Sequence, residues 1–318
     1  MKNKRFIKLL TVLTILLTLT GCTKYGEDKK GNPIKNEETG QQLVTNILCK
    51  PTDKEMLKLY EKYNKDNKKK QVKIEKLDDC ENMKITGKYH DLWTNIFVKP
   101  LAWFIIQLGN IIKNYGWALI LATLIIRLAA YPFTKKAALQ SENMKKASPE
   151  LEKLEKKYKN KNDQESMMKK SQEMMFIYKK YNINPMSTCL FSLFQIPLFF
   201  AFYEAISRIP IIFEENFLGF DLGLSPMNAV ARGDYKYLIF IVIIAAATYF
   251  SFKLNSGASM NAEQAKQMNT MSKVMVVIMT ITAFSISTGI AIYWVTTNIF
   301  TIIQNLIVKR GKNNDQSK

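Results

Sequence analysis

The sequence predicts an all-α membrane protein with five transmembrane helices, an outer interfacial amphipathic helix and a cytoplasmic helical hairpin. Two observations lead to this class: long apolar runs alternate with lysine-rich blocks, and the lysines concentrate between alternate runs. A third is the stretch "ALILATLIIRLAAYPFTKK", in which Arg127 places a permanent charge among apolar residues. The formal net charge of +19 would fit nucleic acid, an anionic membrane surface or membrane topology, and the apolar runs favour the last two.

Residues 1–21 have the organisation of a bacterial lipoprotein signal peptide. A basic stretch at its start is followed by the apolar run Leu9–Leu19 and then by Leu-Thr-Gly-Cys, which resembles a lipobox. Cleavage would leave Cys22 as the first residue, carrying several acyl chains such as palmitate, which together give a stable membrane anchor. An ordinary signal peptide with a chance cysteine is the alternative. The lipoprotein interpretation places the mature N-terminus outside the cytoplasm of a bacterium.

Residues 22–90 form a polar, lysine-rich extracytoplasmic segment, which we interpret as a lipid-attached tether or spacer. Cys49 and Cys80 lie in it, and because that compartment tolerates disulfides, the sequence leaves open whether they pair. Cys189 sits in an apolar run and is interpreted as a packing residue. The single histidine, His90, belongs to no cluster with metal-ligand spacing, so neither a metal site nor a cofactor is predicted.

Residues 91–112 carry apolar side chains at helical spacing, with polar residues on the other faces. The uncharged part is shorter than the roughly 20 residues that a spanning helix needs. Trp93 and Trp103 suit a membrane interface. We therefore expect an interfacial amphipathic helix on the outer surface.

Five apolar segments are predicted to span the membrane, although the third and fourth are short. They are residues 115–134, 186–207, 236–252, 273–287 and 289–308. With the N-terminus outside the cytoplasm, residues 208–235 are predicted to form an extracellular loop. Residues 135–182, 253–272 and the tail 309–318 are then predicted to be cytoplasmic. Loop 135–182 holds thirteen lysines against seven acidic residues, in agreement with the positive-inside rule.

Loop 135–182 is predicted to form a helical hairpin. Ser148-Pro149-Glu150 has the residues of a helix start, "NKND" at 160–163 is the predicted break, and a second helix follows over 164–181. Methionines are interspersed through the hairpin, at Met144, Met167, Met168, Met174 and Met175. They are either filler in a solvated coiled-coil pair or a flexible apolar surface for varied partners.

Arg127 has four candidate explanations. Its side chain could snorkel toward the cytoplasmic interface, since Lys135 is eight residues on, about 12 Å along a helix. It could form an ion pair with Glu204, although Glu204 is expected nearer the outer side. It could face a polar cavity, as intramembrane charges usually do. A voltage sensor would need repeated arginines, which the sequence lacks.

Other predicted spans supply polar side chains that could line such a cavity. The main candidates are Gln195, Thr280, Trp294, Thr297, Asn298, Thr301 and Gln304. Asn298, Thr301 and Asn305 share one helical face by their spacing. Polar residues can instead simply join neighbouring helices, an explanation that is stronger for each residue alone than for the set together with Arg127.

Three stretches in this order resemble the YidC/Oxa family of membrane-protein insertases over about residues 90–310. They are "LILATLIIRLAAYPFTKKAALQSENM", "YKKYNINPMSTCLFSLFQIPLFFAFYEAI" and "IAIYWVTTNIFTIIQNLIVKR". The lipobox start is similar to the Gram-positive branch of the family. Two features depart from the pattern: Ser287-Thr288-Gly289-Ile290 stands where the family often has Pro-Ala-Gly-Leu, and residues 23–90 are longer than expected.

The resemblance implies five core helices around a hydrophilic groove that opens to the cytoplasm and to lipid. Arg127 would attract the acidic tail of a client, and the client's apolar helix would slide into lipid along spans two and five. Nascent membrane proteins are the implied partners, a monomer is the expected active form, and the Sec translocon and the ribosome remain open as further partners. The resemblance implies no enzyme activity and no cofactor.

Three other functions are considered. An anion-binding transporter using Arg127 is the main alternative, although no inverted repeats or glycine-broken helices are visible. A lipoprotein adhesin or receptor would need a larger outer domain than residues 23–90 offer. An intramembrane enzyme would need a nucleophile with an adjacent base, and no such pair occurs in the predicted spans.

Overall fold

The computed structural model describes residues 23–86, 91–161, 163–255 and 262–315. The predicted signal peptide 1–21, Cys22 and His90 lie outside these residues. Helices dominate the described ranges, in chain order α1 (Lys54–Asp66), α2 (Lys99–Ile112), α3 (Tyr115–Ala129), α4 (Tyr131–Tyr158), α5 (Gln164–Lys180), α6 (Pro185–Ser207), α7 (Pro210–Phe213), α8 (Pro226–Ala231), α9 (Leu238–Asn255), α10 (Ala262–Thr282) and α11 (Thr288–Asp315). Strands β1 (Asn216–Phe217) and β2 (Phe220–Asp221) pair antiparallel. Short helical turns lie at Ile74–Lys76, Cys80–Asn82, Thr94–Val98 and Tyr235–Tyr237.

Several helices have the length and composition of membrane spans, which confirms the predicted class of an all-α membrane protein. Within the described ranges, Thr94–Ile112, Tyr235–Leu254 and Thr288–Gly311 are each long and apolar enough to cross a membrane. A fourth span results if Tyr115–Ala129 and Tyr131–Tyr158, which meet at a bend of 70°, are counted together. Since Thr94–Ile112 also meets the criterion, the interfacial placement of residues 91–112 stays a prediction.

The first predicted span ends earlier than the sequence pattern suggested. The span predicted over 115–134 contains a break between two helices, because α3 ends at Ala129 and α4 begins at Tyr131. Pro132 explains the break: it lacks the backbone N–H that would continue α3 and its ring clashes with the carbonyl four residues earlier, whereas proline is tolerated in the first turn of α4. The bend therefore follows directly after the turn that carries Arg127.

The fourth predicted span is displaced toward the N-terminus. Helix α10 ends at Thr282 rather than at residue 287, and a tight turn leads into α11. The turn is held by loop 208–235, because Met227 N donates to Phe284 O at 2.9 Å and the Thr288 hydroxyl donates to Leu224 O at 2.9 Å. These bonds supply an anchor at the position where the family often has Pro-Ala-Gly-Leu.

The chain divides into two compact units. The first comprises Met1–Ile125, Leu193–Val242 and Thr282–Thr296, and the second comprises Ile126–Ser192, Ile243–Ile281 and Thr297–Lys318.

In the first unit, residues 23–86 form a folded domain, and their role as a lipid-attached tether or spacer stays a prediction. Isolated bridges join Tyr25 to Val44 and Lys35 to Gln42. Helix α1 packs one face against them, and the Tyr60 hydroxyl donates to Val44 O at 2.6 Å. The shared core consists of Ile34, Leu43, Val44, Ile47, Met56, Tyr60, Tyr63 and Val72. These residues are spread over the segment, so the helical spacing of Met56, Tyr60 and Tyr63 indicates only one part of the core.

The same domain is closed by a disulfide between Cys49 and Cys80, which are 31 residues apart. This answers the pairing question that the sequence left open. The link joins the end of the bridged region to the turn Cys80–Asn82, with α1 inside the closed loop. A polar segment with a modest apolar core gains stability from such a closure.

In the second unit, α4 and α5 form the predicted hairpin. The break predicted at 160–163 is confirmed, since α4 ends at Tyr158 and α5 begins at Gln164. The helix start predicted at Ser148-Pro149 is wrong, because α4 runs through Pro149 without interruption. An apolar stripe continues across the proline and packs against α5; its α4 members are Met144, Ala147, Leu151, Leu154 and Tyr158. Packing of this stripe outweighs the hydrogen bond that Pro149 removes.

Candidate functional site

Arg127 lies in the last turn of α3 and is buried, with 4% of the residue exposed. A snorkelling guanidinium would reach open solvent or the membrane interface, so this degree of burial disfavours the snorkelling explanation. Burial of a permanent charge is costly unless polar groups surround it. The C-terminal end of α3 offsets part of that cost, because the exposed carbonyl dipoles of a helix end favour a cation.

Helix α11 presents a polar face in the second unit, formed by residues at helical spacing. Thr297, Asn298 and Gln304 are buried, and Thr301 is half-buried. The Thr134 hydroxyl, in the first turn of α4, donates to Gln304 Oε1 at 3.0 Å. Thr297, Thr301 and Gln304 thus follow one face of α11 at i, i+4 and i+7 spacing, and their place in a groove with Arg127 stays a prediction.

The threonines of this set differ in how their hydroxyls are satisfied. Thr301 donates to Thr297 O at 2.9 Å and Thr280 donates to Val276 O at 2.8 Å, both within their own helices. The Thr297 hydroxyl is buried and has no hydrogen-bond partner among the described residues. Nearly all buried polar atoms in proteins are paired with protein or water, so the Thr297 hydroxyl is a candidate for a hydrogen bond to water.

Two members of the predicted set belong to the first unit. Gln195 lies on α6 and Trp294 near the start of α11, and both are half-buried. The Trp294 ring meets Phe199 edge to face, with ring centroids 5.3 Å apart. Their membership of one cavity with Arg127 stays a prediction.

The methionines of the hairpin fall into a buried group and an exposed group. Met144 is buried in the hairpin core with 3% exposed, and Met174 packs against that core, so these two act as packing residues. Met167, Met168 and Met175 are exposed on α5. Phe176, which the sequence analysis did not single out, is 71% exposed beside them. Helix α5 therefore carries an exposed apolar surface, here called the α5 apolar surface, formed by Met167, Met168, Met175 and Phe176.

Charged pairs fasten the two hairpin helices. Glu173 on α5 accepts from Lys157 Nζ at 2.7 Å and from the Tyr158 hydroxyl at 2.8 Å, and these bonds hold the pKa of its carboxyl below the ordinary 4.5. Glu150 on α4 accepts in the same way from Lys180 and Tyr181, and its pKa is lowered for the same reason. The two carboxylates thus tie opposite ends of the hairpin.

A second buried arginine, Arg208, was missed by the sequence analysis. It follows directly after α6 and is 0% exposed. It pairs with Glu204 at 3.4 Å and donates to Thr94 Oγ1 at 2.8 Å and to Asn46 O at 2.8 Å. Trp93 Nε1 donates to the other Glu204 oxygen at 3.0 Å. The i,i+4 spacing of Glu204 and Arg208 was the available signal, but the predicted span ended between them.

Further polar contacts hold the 23–86 domain against loop 208–235. Glu214 accepts from the backbone N–H groups of Thr52 at 2.9 Å and Asp53 at 3.0 Å. Asn228 Nδ2 donates to Thr39 O at 2.8 Å. Together with Arg208, these bonds fix a docked domain on the loop that joins α6 to α9.

These features define a helical membrane protein with an arginine buried at the end of an apolar helix and a charged helical hairpin. A sequence model of the family described as "60Kd inner membrane protein" matches residues 107–316. The chain is 35% identical over 234 residues to "Membrane protein insertase YidC" from Oceanobacillus iheyensis, covering 72% of this chain and 88% of the relative. It is 33% identical over 236 residues to "Membrane protein insertase MisCA" from Bacillus subtilis, covering 73% of this chain and 86% of the relative. The chain therefore belongs to the 60Kd inner membrane protein family, whose relatives are named membrane protein insertases.

A solved structure described as "Active YidC insertase crystal structure with the first transmembrane domain resolved" is also similar. The TM-score is 0.48 and the identity 27%, covering 79% of this chain and 52% of that chain. The chain thus spans about half the length of that protein. The Bacillus relatives agree with the resemblance to the Gram-positive branch. The relatives are named as insertases and not as enzymes, and they do not favour the anion transporter.

Proposed function

We propose that this chain inserts membrane proteins into the bacterial plasma membrane and assists their folding, using Arg127 to attract the acidic tails of its clients. Family membership supports the insertase class. The observation that carries the role of Arg127 is its burial, with 4% exposed, inside a helix that is otherwise apolar.

The proposed groove lies in the second unit and is formed by Arg127 with the polar face of α11, at Thr297, Asn298, Thr301 and Gln304. A client's tail must cross about 30 Å of hydrocarbon. A hydrated groove that reaches part of the way shortens the dry path, and a fixed cation offsets part of the cost of moving carboxylates inward. The unpartnered Thr297 hydroxyl fits a hydrated lining.

Transfer outward is helped by the membrane potential. With the outside positive, each carboxylate gains about 2.3 kcal/mol per 100 mV on crossing. Arg127 therefore holds the tail only briefly, and the client's apolar helix passes into lipid along spans two and five. This sequence of events forms and breaks no covalent bond.

The α5 apolar surface is the proposed first contact for clients. Met167, Met168 and Met175 are flexible and polarisable, so they adapt to apolar helices of different sequence. Phe176 adds area beside them. A cluster of this kind exposed on an otherwise charged hairpin is typical of a binding surface.

The proposed topology has Cys22 as a lipid anchor outside the membrane and tail 309–318 in the cytoplasm. The lysines of loop 135–182 support it through the positive-inside rule. The basic residues Lys309 and Arg310 are the expected contact if the ribosome is a partner, and the Sec translocon is a further candidate. A monomer is the proposed active form.

The test uses proteoliposomes and a single-span client with an acidic tail, with insertion measured by protease protection. Arg127→Ala should reduce insertion strongly while the thermal midpoint changes little, and Arg127→Lys should retain more activity because it keeps the charge. Arg310→Ala, the same change at an exposed position, is the matched control and should insert normally, because the proteoliposomes contain no ribosome. Normal insertion by folded Arg127→Ala protein would overturn the role of Arg127. Anion uptake that depends on Arg127, without insertion, would support the transporter.

A further inference from the structure

The loop between α6 and α9 contains a hairpin whose apex is Leu218. Strands β1 and β2 pair with Phe217 opposite Phe220, so Leu218 and Gly219 are the two central residues of the turn. Both have positive φ, 51° for Leu218 and 81° for Gly219. Two positive φ angles are typical of a type I′ turn, which favours Asn, Asp or Gly at its first central position.

Leu218 is disfavoured at this position for two reasons. A branched side chain in the left-handed region brings Cβ close to the following carbonyl oxygen. The side chain is also 74% exposed, so packing within the described part of the chain offsets little of that cost. Asn would remove both disadvantages. An apolar environment outside the chain would explain why leucine stands here, because burying its side chain there is favourable.

The base of the hairpin is held beside the start of α3. Asn114 Nδ2 donates to Asn216 O at 3.4 Å, and the Trp117 ring meets Phe217 edge to face at 5.2 Å. A Cβ added at Gly116 would lie 2.1 Å from the Phe217 ring, so the glycine permits this close approach. Leu218 is one residue from Phe217 and therefore stays near the first turn of α3.

This neighbourhood has the side chains of a membrane interface. Helix α3 is an apolar helix that begins at Tyr115, and Trp117 is exposed in its first turn. Ile111, near the end of α2, is exposed as well. Tryptophan is enriched where spanning helices enter the headgroup region, so an exposed tryptophan in the first turn of an apolar helix is typical of a membrane interface.

We propose that Leu218 is a membrane anchor: the apex of the β1–β2 hairpin inserts this side chain among the acyl chains of the nearer leaflet, beside Trp117 and Ile111. Burial of the Leu218 side chain in lipid offsets the free-energy cost of its backbone strain. The inserted apex holds loop 208–235 at the membrane surface. Lipid is the occupant because the apex adjoins an apolar helix with an exposed tryptophan at its start. The proposal concerns lipid contact and stands whether or not Arg127 acts in insertion.

The experiment places an environment-sensitive fluorophore at Leu218→Cys in the full chain carrying Cys189→Ala, with Cys49 and Cys80 disulfide-bonded. The protein without Leu218→Cys is the labelling blank. In vesicles, the label should emit at shorter wavelength and be quenched more by nitroxides near the headgroup than by nitroxides at the chain end. A label at Lys58→Cys, exposed on α1, is the matched control and should behave as in water. Water-like emission at Leu218 would overturn the proposal, and so would a blue shift without nitroxide quenching, which indicates contact with protein.

A second measurement isolates the leucine side chain from the fold. With the label moved to exposed Asn216, Leu218→Asn should lower headgroup-nitroxide quenching several-fold, whereas Leu218→Met should preserve it. Asn is favoured in this turn, so the hairpin stays folded in the polar variant. Equal quenching in the parent and both variants would contradict an anchoring role for Leu218.

Discussion

Arg208 Nη1 donates to Thr94 Oγ1 at 2.8 Å, which joins the residue after α6 to the helical turn that leads into α2. The same guanidinium also reaches Glu204 and the backbone of the 23–86 domain at Asn46. One buried side chain therefore connects three parts of the first unit. Since an arginine donates in several directions from a rigid plane, it suits a junction of this kind.

We predict that Arg208→Met destabilises the first unit strongly. Removing Arg208 leaves Glu204 buried without its counter-charge, which should lower the free energy of unfolding by about 3–5 kcal/mol. The thermal midpoint in detergent should fall well below that of the Arg310→Ala control. Replacing both charges, in Arg208→Met with Glu204→Gln, should restore part of the loss. An unchanged midpoint for Arg208→Met alone would show that the junction does not stabilise the fold.

The Cys49–Cys80 disulfide should stabilise the docked domain. The double variant Cys49→Ser with Cys80→Ser opens a loop whose ends are 31 residues apart. The free energy of unfolding should fall by about 2–4 kcal/mol. Limited proteolysis should then cut residues 54–76 faster, while the hairpin of the second unit is cut at the parent rate. Equal cleavage rates in residues 54–76 would mean that the core of the domain holds without the disulfide.

The hairpin should weaken in acid because two carboxylates tie its helices. The pKa of Glu173 and of Glu150 is lowered in the fold from the ordinary 4.5. Their contribution to the stability of the hairpin is therefore complete above pH 4.5, the ordinary pKa, and is lost as the pH falls through their lower pKa in the fold. Hydrogen exchange of α5 should lose protection in this acid range, and Glu150→Gln with Glu173→Gln should make the protection less dependent on pH. Glu165→Gln, which removes a pair within α5, should leave the pH dependence as it is.

The methionines of the hairpin should separate by function. Met144→Ala opens a cavity in the hairpin core and should cost about 2–5 kcal/mol of stability. Met175→Ala on the exposed α5 apolar surface should change stability by less than about 0.5 kcal/mol, yet reduce photocrosslinking of clients to α5. Both variants replace methionine by alanine, and the two positions differ in burial. Full crosslinking in a variant with Met167, Met168, Met175 and Phe176 all replaced by serine would show that clients do not bind the α5 apolar surface.

Local sequence patterns predicted the class of protein, the break in the hairpin and the importance of Arg127 as a feature to explain. Each depends on residues close together in the chain, such as the apolar run around Arg127 and "NKND" at 160–163. The family resemblance was confirmed by the similar relatives. The groove itself, including the part assigned to Gln195 and Trp294, stays a prediction.

The features that the sequence analysis missed depend on contacts between distant residues. The core of the 23–86 domain joins Ile34 and Val72, and Arg208 acquires its partners from Asn46 and Thr94. Pro149 remained inside α4 because packing against α5 outweighed its local preference. In each case tertiary packing overrode the local pattern.

Whether Arg127 attracts client carboxylates is best measured with a cycle that changes Arg127 and the client together. Insertion is measured by protease protection for a client with aspartates in its tail and for the same client with asparagines, using the parent protein and Arg127→Ala. If Arg127 attracts client carboxylates, Arg127→Ala should slow insertion of the aspartate client at least several-fold and that of the asparagine client much less. An equal loss for both clients would show that Arg127 does not act through the charge of the tail.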